Sequence, residues 1–375
     1  MKIITVRSVL FAATVCLAAS TGTFTAYAED AKVVAGFIYV GPKDDYGYNQ
    51  AHAEGKVGVS KLAWVQSVEE ASVPETTAVQ ETMRNMINLD HATMLFPTSF
   101  GYYNPHILKV AKQYPKVQFF HCGGMYNPDK DPKNVGSYFG YIDEGEYISG
   151  IVAAHATKSG KLGFIAAKPI PQVLRNINSF TLGARSVKPD VTVQVVFTGD
   201  WSMPVKEAES ATSLIDQGVD VLTCHVDSPK VILETSERRG IFVCGYHADG
   251  SKLAPKGYLT GAEWDWTKVY SDYATWVKEG KTLADGTIPH LIRGGLKEGF
   301  VKMSAYGPAV NDDAKKDAEA AKAKFMAGDM VIYKGPIKDN GGKVVIPEGT
   351  EMKQQDINLE KMDYLVEGVM GSTKS

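Results

Sequence analysis

The sequence predicts an α/β fold made of two similar, doubly wound domains in tandem. Short runs of apolar and β-branched residues alternate with segments of helical periodicity, which is typical of parallel sheets covered by helices. The alternation begins at residue 33 and restarts near residue 162, with about five strands in each half. The chain has 375 residues, 44% of them hydrophobic, which is enough for two cores of medium size.

The elements follow in order from this pattern. In the first half, strands are predicted at residues 33–40, 63–68, 93–96, 117–121 and 135–141, and helices at 49–61, 76–88, 105–113 and 147–157. In the second half, strands are predicted at residues 162–166, 191–197, 219–224, 241–245 and 258–262, and helices at 172–186, 205–217 and 230–238.

A third section adds a helix at residues 267–279, a strand at 299–304 and an Ala/Lys-rich helix at 312–326. The Asp-Asn-Gly-Gly sequence at residues 339–342 is a strong hairpin signal, and the predicted strands beside it are 331–334 and 343–346. No low-complexity linker divides the halves. We therefore expect the chain to cross between domains near residues 140–145, 263 and 304.

The N-terminus has the features of a secretory signal peptide. A basic start, an apolar run over residues 9–19 and a small-x-small site at 26–28 predict cleavage after residue 28. No later run has the roughly 18 apolar residues that a membrane span needs. Val15 before Cys16 is a poor fit to a lipoprotein site, so we expect a free periplasmic protein.

Charge and cysteine content exclude several other classes of protein. The formal net charge of −3 disfavours nucleic acid or an anionic membrane surface as a partner. Three cysteines follow the signal peptide, Cys122, Cys224 and Cys244, which are too few for a disulfide framework and leave at least one free thiol. Walker-type, G-x-S-x-G and H-E-x-x-H motifs are absent, and no G-x-G-x-x-G follows the first strand. We expect neither an enzyme nor a cofactor.

Polar and aromatic residues are concentrated where the predicted strands end, which is where open α/β sheets bind ligands. The loop at residues 40–50 is the first such end and holds two carboxylates, two tyrosines and an amide. The candidate ligand-binding residues at the strand ends are Asp45, Tyr48, Asn49, Phe100, Trp201, Asp227, Asp249 and Trp264. This mixture suits a planar heteroaromatic ligand that carries N–H donors.

The same residue types also have structural explanations. Asp200, Asp227 and Asp249 are as well suited to cap a following helix as to bind a ligand. Trp266 is expected to fill a core, whereas Trp201, in a loop just after Gly199, favours binding.

Three strand ends carry both Cys and His, which are ligands for soft metals. These pairs are His121 with Cys122, Cys224 with His225, and Cys244 with His247. No C-x-x-C or H-x-H pair occurs, and neighbours on a strand point to opposite faces. Buried cysteine is the ordinary explanation, so a metal-binding protein stays as an alternative.

Several stretches in a fixed order carry a family resemblance: residues 44–50, 141–150, 197–201, 216–221, 242–249 and 333–337. With these, the chain resembles the basic membrane protein (BMP) family of ABC-transporter substrate-binding proteins, some of which are purine nucleoside receptors. The resemblance implies two Rossmann-like lobes of the type I periplasmic-binding fold. Their expected bounds are residues 29–142 plus about 264–304, and residues 143–263 plus about 305–375.

The resemblance also implies a monomer that closes its lobes on a purine and delivers it to an ABC permease. Asp45 and Asn49 would contact the base or sugar, Trp201 would stack on the base, and Asp249 would hold the ligand. Nucleoside-binding members carry a Lys where this chain has Trp264, and the loss of that sugar contact predicts a free nucleobase such as adenine. Purine nucleosides are the alternative ligand, and an exported nucleoside hydrolase is an alternative of another class.

Overall fold

Residues 32–373 are described by a computed structural model, and the predicted signal peptide lies outside them. These residues form two open sheets that are covered by helices. The predicted doubly wound α/β fold is therefore confirmed.

The first fourteen elements occupy the first half of the chain and the start of the second. They are β1 (Val33–Ile38), α1 (Tyr48–Val59), β2 (Val65–Glu70), α2 (Ala78–Asn88), β3 (Met94–Pro97), α3 (Leu108–Gln113), β4 (Gln118–Cys122), β5 (Val135–Gly140), α4 (Asp143–Ala156), β6 (Lys161–Ala166), α5 (Pro171–Val187), β7 (Thr192–Phe197), α6 (Pro204–Asp216) and β8 (Val221–His225). The others are α7 (Lys230–Arg239), β9 (Phe242–His247), β10 (Tyr258–Trp264), α8 (Trp266–Lys278), β11 (Leu291–Gly294), β12 (Val301–Met303), α9 (Asp312–Ala327), β13 (Tyr333–Lys334), β14 (Ile337–Lys338), β15 (Val344–Ile346), β16 (Glu351–Met352) and β17 (Val369–Met370).

The two main sheets repeat one topology. The first has the order β11-β5-β4-β3-β1-β2 and is parallel throughout. The second has the order β12-β10-β9-β8-β6-β7-β17, in which only β12 is antiparallel to its neighbour. In each sheet the strand order reverses beside the first strand, at the β1/β3 and β6/β8 pairs. Ligands of open sheets bind at the carboxyl edge of such a reversal.

The chain passes between the two sheets three times. After β5 it enters α4, which packs on α5 and β10; after β10 it enters α8, which packs on α1. It then adds β11 to the first sheet and returns to add β12 to the second. We call the first sheet with α1, α2, α3 and α8 the first lobe, and the second sheet with the other long helices the second lobe. The residue boundaries predicted for the lobes remain our proposal.

The late hairpin has its predicted turn but not both of its predicted strands. The backbone N–H of Asp339 donates to Lys343 O at 2.8 Å, and the Asp339 carboxylate accepts from the backbone of Gly341 and Lys343, both at 2.9 Å. So tight a turn pairs only the residues next to it, which places β14 against β15. The predicted strand at residues 331–334 was therefore wrong as a hairpin partner, since β13 pairs with β16.

Glu146 of α4 is fully buried, and neither of its carboxylate oxygens has a hydrogen-bond partner among the described residues. Burial, with a smaller contribution from Asp143, raises the pKa of Glu146 well above its ordinary value of 4.5. The folded chain therefore keeps a proton that the unfolded chain releases, so stability falls as pH rises above about 4.5.

We expect Glu146→Gln to gain stability relative to the wild type as pH rises from about 5 to about 8, by at most roughly 1.4 kcal/mol per pH unit. Urea unfolding at a series of pH values measures the difference. Glu209→Gln, at an exposed position of α6, is the control and should show no such trend. If the difference in stability between Glu146→Gln and the wild type does not depend on pH, Glu146 does not hold a proton in the folded chain.

Candidate functional site

A cavity of about 400 Å³ lies between the two lobes, where the carboxyl ends of both sheets meet. Tyr48, Ser99, Phe100, Cys122 and Phe139 line it from the first lobe, and Gln172, Trp201, His225, Asp227, His247 and Trp264 from the second. Most of these residues end a strand or directly follow one, as the topology of open sheets predicts.

Hydrogen bonds between the lobes hold the cavity closed. The backbone N–H of Tyr48 donates to Asp227 O at 2.8 Å, and Ser228 Oγ donates to Asp45 O at 2.6 Å. Gln172 Nε2 donates to the carbonyl oxygen of Gly123 at 3.1 Å. The structure is thus a closed form, with one wall of the cavity from each lobe.

Half-buried Asp227 lines both the central cavity and the wider cleft outside it, and none of residues 32–373 donates a hydrogen bond to its carboxyl group. Its backbone is fixed on both sides, because its N–H donates to Trp201 O at 2.8 Å and its carbonyl accepts from Tyr48. Burial, and then the nearby Asp45 carboxylate, raise the pKa of Asp227 well above its ordinary value. A carboxyl partly removed from water and without a protein partner lacks hydrogen bonds, and a ligand N–H would supply one.

Aromatic rings form much of the remaining wall. Phe100, 44% exposed, reaches the cavity from the first lobe, and half-buried Trp201 reaches it from the second. The Lys168 ammonium lies 5.1 Å from the centroid of the Trp201 ring, which holds that ring in place. Trp264 is buried and stacks on Trp266 with ring centroids 4.6 Å apart. Flat apolar walls of this kind suit a planar ligand.

Two neutral imidazoles complete the wall of the second lobe. His247 Nδ1 accepts from Trp264 Nε1 at 2.8 Å, and its Nε2 lies 3.1 Å from Val226 O, so both nitrogens are used within the protein. His225 Nδ1 lies 3.0 Å from the amide nitrogen of Asn176. Burial lowers the pKa of His225 to about 3 and that of His247 well below its ordinary value, so neither ring is charged at neutral pH.

Asp45 and Asn49, both predicted to bind the ligand, use their polar atoms within their own loop. The Asp45 carboxylate accepts from the backbone of Gly47, Asn49 and Gln50 at 2.9, 3.0 and 3.0 Å, and from Asn49 Nδ2 at 2.7 Å. Asn49 Oδ1 accepts from the Gly41 N–H at 3.1 Å. Both side chains border the wide outer mouth of the cleft, not the central cavity. They fix the start of α1, from which Tyr48 projects.

Asp249 lies outside the cavity. Its side chain is exposed, and its Oδ1 accepts from the Ser251 backbone N–H at 2.9 Å, which caps the turn after β9. The structure thus gives Asp249 the capping role that the sequence left open. The predicted residues that the structure does bring together are Tyr48, Phe100, Trp201, Asp227 and Trp264.

Six cavity residues were not among the predicted binding residues: Ser99, Cys122, Phe139, Gln172, His225 and His247. Cys122, His225 and His247 had a signal in the sequence, since they lie at strand ends, but their chemistry suggested a metal. Within residues 32–373, no three His, Cys, Asp or Glu side chains group as metal ligands. Cys122, Cys224 and Cys244 are buried and unpaired.

A second chamber of about 330 Å³ adjoins the cavity on the side where the chain crosses between lobes. It shares Phe139 and Gln172 with the cavity, and its other lining residues are Gly140, Tyr141, Asp143, Arg175, Asn176, Arg293, Leu359 and Glu360. The buried Arg175 guanidinium pairs with Asp143 at 3.0 Å and lies 5.1 Å from the Tyr141 ring centroid. Four side chains in its lining carry charge: Asp143, Arg175, Arg293 and Glu360.

Comparison with known proteins gives consistent matches over most of the chain. A family described as ABC transporter substrate-binding protein, PnrA-like (Bmp), matches residues 32–336. A purine-binding protein of Brucella abortus (strain 2308) is 37% identical over 347 residues, covering 92% of this chain and 94% of the relative. A putative ABC transporter glucose-binding protein of Haloferax volcanii is 29% identical, covering 92% of this chain and 83% of the relative.

The fold also matches a solved structure. A solute-binding protein of an ABC transporter system from Aeropyrum pernix K1 superposes with a TM-score of 0.67, at 20% identity, over 82% of this chain and 93% of that one. The likeness supports the type I periplasmic-binding architecture of two lobes. Among the described residues, none of the helices combines the length and apolar character needed to cross a membrane.

Proposed function

Because the chain belongs to the Bmp family of PnrA-like substrate-binding proteins of ABC transporters, we propose that it captures a free purine base, such as adenine, and delivers it to a membrane permease. The observation that carries the proposal is the unpaired Asp227 carboxyl inside a closed cavity with aromatic walls. The purine-binding relative supports the choice of ligand class.

The proposed mechanism is capture by closure of the lobes. A purine ring would lie between Phe100 of the first lobe and Trp201 of the second, with an N–H directed to Asp227. Because both lobes then contact the ligand, the ligand favours the closed form. In that form the Tyr48 backbone N–H already donates a hydrogen bond to Asp227 O. The closed form is the one that a permease would recognise.

The case for a free base depends on Trp264. Its ring is 3% exposed, lines the cavity and is held by His247 and Trp266. An apolar ring at this position offers no partner for sugar hydroxyls, whose burial without hydrogen bonds is costly.

The adjoining chamber favours the alternative, a purine nucleoside. It shares Gln172 with the cavity, and Arg175 and Asn176 in its wall carry groups that could bind hydroxyls. A ribose in this chamber would keep the base in the aromatic cavity.

One retention experiment tests the ligand class. The protein is unfolded, refolded and equilibrated with an equimolar mixture of adenine, guanine, hypoxanthine, adenosine, guanosine and glucose. It is then separated by gel filtration, and the retained molecules are identified by mass spectrometry. We expect a free purine base. Retention of a nucleoside alone would overturn the preference for the base, and retention of glucose or of nothing would overturn the purine proposal.

Trp201→Ala is expected to weaken purine binding by roughly 1–3 kcal/mol, the range found for stacking of a base on an aromatic side chain. Titration calorimetry measures the loss. Trp64→Ala is the matched control, because Trp64 is a half-buried tryptophan with the Lys278 ammonium 4.8 Å from its ring centroid, and it does not line the cavity. Equal affinity of Trp201→Ala and the wild type would remove Trp201 from the site.

We propose that the protein binds its ligand without cleaving it, in contrast to a nucleoside hydrolase. An acid–base pair would need two carboxylates that act together, and the adjacent Asp44 and Asp45 do not. Asp44 is exposed, whereas Asp45 caps the start of α1. Incubation with adenosine and guanosine should release no free base above the buffer control. Measurable release that depends on protein concentration would support the enzyme.

We also propose that the protein works as a monomer in the periplasm, exported by the signal peptide predicted over residues 1–28. The monomer is supported by the cavity, which residues of one chain enclose from both sides. Elemental analysis of the purified protein separates this proposal from a metal-binding protein, which would carry a stoichiometric metal.

A further inference from the structure

His225 lines the cavity, and its Nε2 has only a weak hydrogen-bond partner among the described residues. We infer that His225 determines specificity within the proposed purine site, by donating its Nε2–H to an unprotonated ring nitrogen of the base. The inference rests on the proposed function and deepens it, because it names the edge of the ligand that the second lobe contacts by hydrogen bonding.

Asn176 fixes which nitrogen of His225 carries the proton. The Asn176 amide nitrogen lies 3.0 Å from His225 Nδ1 and 2.7 Å from the Tyr246 hydroxyl, and both neighbours are buried. An amide nitrogen can only donate, so His225 Nδ1 accepts. The ring of a neutral imidazole carries one proton, which therefore resides on Nε2.

His225 Nε2 has a weak partner in the protein. Its hydrogen-bond contact among the described residues is the Tyr246 hydroxyl at 3.4 Å, near the outer limit of a hydrogen bond, and that hydroxyl lies closer to Nδ1, at 3.2 Å. His247, the other histidine of the cavity, has both nitrogens bonded to Trp264 and Val226 and has no donor to spare. Of the two cavity histidines, His225 is thus the one with an available N–H.

His225 and Asp227, the proposed donor and acceptor, both line the cavity. The two residues are two positions apart at the end of β8. Together they match a ligand edge on which a bare ring nitrogen stands beside an N–H. Adenine has three such edges, N1 beside the 6-amino group, N7 beside the 6-amino group and N3 beside N9–H, and a ribose on N9 removes the third.

Titration calorimetry with four ligands tests the assignment: adenine, 1-deazaadenine, 3-deazaadenine and 7-deazaadenine, each analogue having a C–H in place of one ring nitrogen. For the wild type we expect one deaza analogue to bind about fivefold to a hundredfold more weakly than adenine, the cost of an unmade buried hydrogen bond. In His225→Phe, adenine should weaken and this difference between the ligands should vanish. His155→Phe, remote from the cavity and paired with Asp317, is the control and should keep the difference.

Nitrogen-15 NMR of the wild type, labelled at histidine, provides a second readout that needs no folded variant at position 225. We expect the His225 proton on Nε2, and a shift of that nitrogen on addition of adenine but not of the weaker deaza analogue. Asn176→Leu, which removes the donor to Nδ1, should yield a mixture of tautomers and a smaller difference between the ligands.

The outcomes separate this inference from the proposed function. If the wild type binds adenine and all three analogues equally, or if its His225 proton resides on Nδ1, the role of His225 is overturned while purine binding stands. If the ligand difference persists in a folded His225→Phe, another residue makes the contact and the assignment is likewise overturned. If the wild type binds none of the four ligands, the proposed function fails, and the inference with it.

Discussion

Asp227→Asn is expected to weaken purine binding by about 2–4 kcal/mol, or roughly 30- to 1000-fold, because a ligand N–H would lose its carboxyl acceptor. The amide would also direct a donor of its own toward the cavity in one of its orientations. The fold should not suffer, since the Asp227 carboxyl has no partner among the described residues, and burial raises its pKa well above the ordinary value. A thermal midpoint equal to or above that of the wild type is therefore expected together with the loss of binding.

Asp249→Asn is the matched control for that change. Asp249 is exposed and accepts a hydrogen bond only from its own turn, at the Ser251 N–H, so its replacement should leave affinity within about twofold of the wild type. Calorimetric titration with adenine compares the two variants. A greater loss in Asp249→Asn than in Asp227→Asn would restore the role that the family resemblance implied for Asp249 and remove Asp227 from the site.

Gly47→Ala is expected to weaken binding by at least about tenfold, equivalent to about 1.4 kcal/mol, by obstructing closure of the lobes. A Cβ on Gly47 would lie 2.0 Å from Asp227 O and 2.7 Å from Pro229 Cδ, and both atoms belong to the other lobe. The same approach includes the bond from the Tyr48 N–H to Asp227 O. The alanine therefore acts where the lobes meet and leaves the ligand-contacting side chains intact.

Small-angle X-ray scattering separates this effect from a loss of folding. With adenine present, the wild type should contract and Gly47→Ala should contract less, while the urea midpoints of the two proteins remain similar. Gly341→Ala, in the exposed turn of the late hairpin, is the control and should behave as the wild type. Wild-type affinity and contraction in Gly47→Ala would show that the lobes need not meet at this glycine.

The alternation of apolar strands and periodic helices was sufficient to predict the two sheets, because parallel strands buried on both faces are hydrophobic along their length. The alternation failed to predict segments that have little apolar periodicity and that become strands by pairing with a distant part of the chain. Strand β11, Leu291–Gly294, contains Arg293 and was not predicted; its partner β5 orders it. The prediction of the late hairpin was wrong for a related reason, since the turn at residues 339–342 pairs only the residues directly beside it.

The site was predictable as a position and less so as a set of contacts. The strand-end rule located Tyr48, Phe100, Trp201, Asp227 and Trp264, all of which line the cavity. It could not tell a carboxylate that lines the cavity from one that caps a turn, because both lie just after a strand and before a helix.

The sequence also located two histidines of the cavity without revealing their role. His225 and His247 lie at strand ends, but beside Cys224 and near Cys244 they suggested metal chemistry. Their role depends on which nitrogen Asn176 or Trp264 contacts, which spacing along the chain does not reveal. Gln172, at the start of α5, gave no signal, because its bond to Gly123 O joins residues that are 49 positions apart in the chain.

The central claim is that the closed cavity binds a free purine base. Calorimetric titration of the refolded wild type with adenine, guanine, adenosine and guanosine tests it most directly. We predict one site per chain, with each base binding more tightly than its own nucleoside, because Trp264 lines the cavity where a donor to the sugar would be needed. Tighter binding of the nucleosides would contradict the claim and assign the ribose to the chamber beside Arg175.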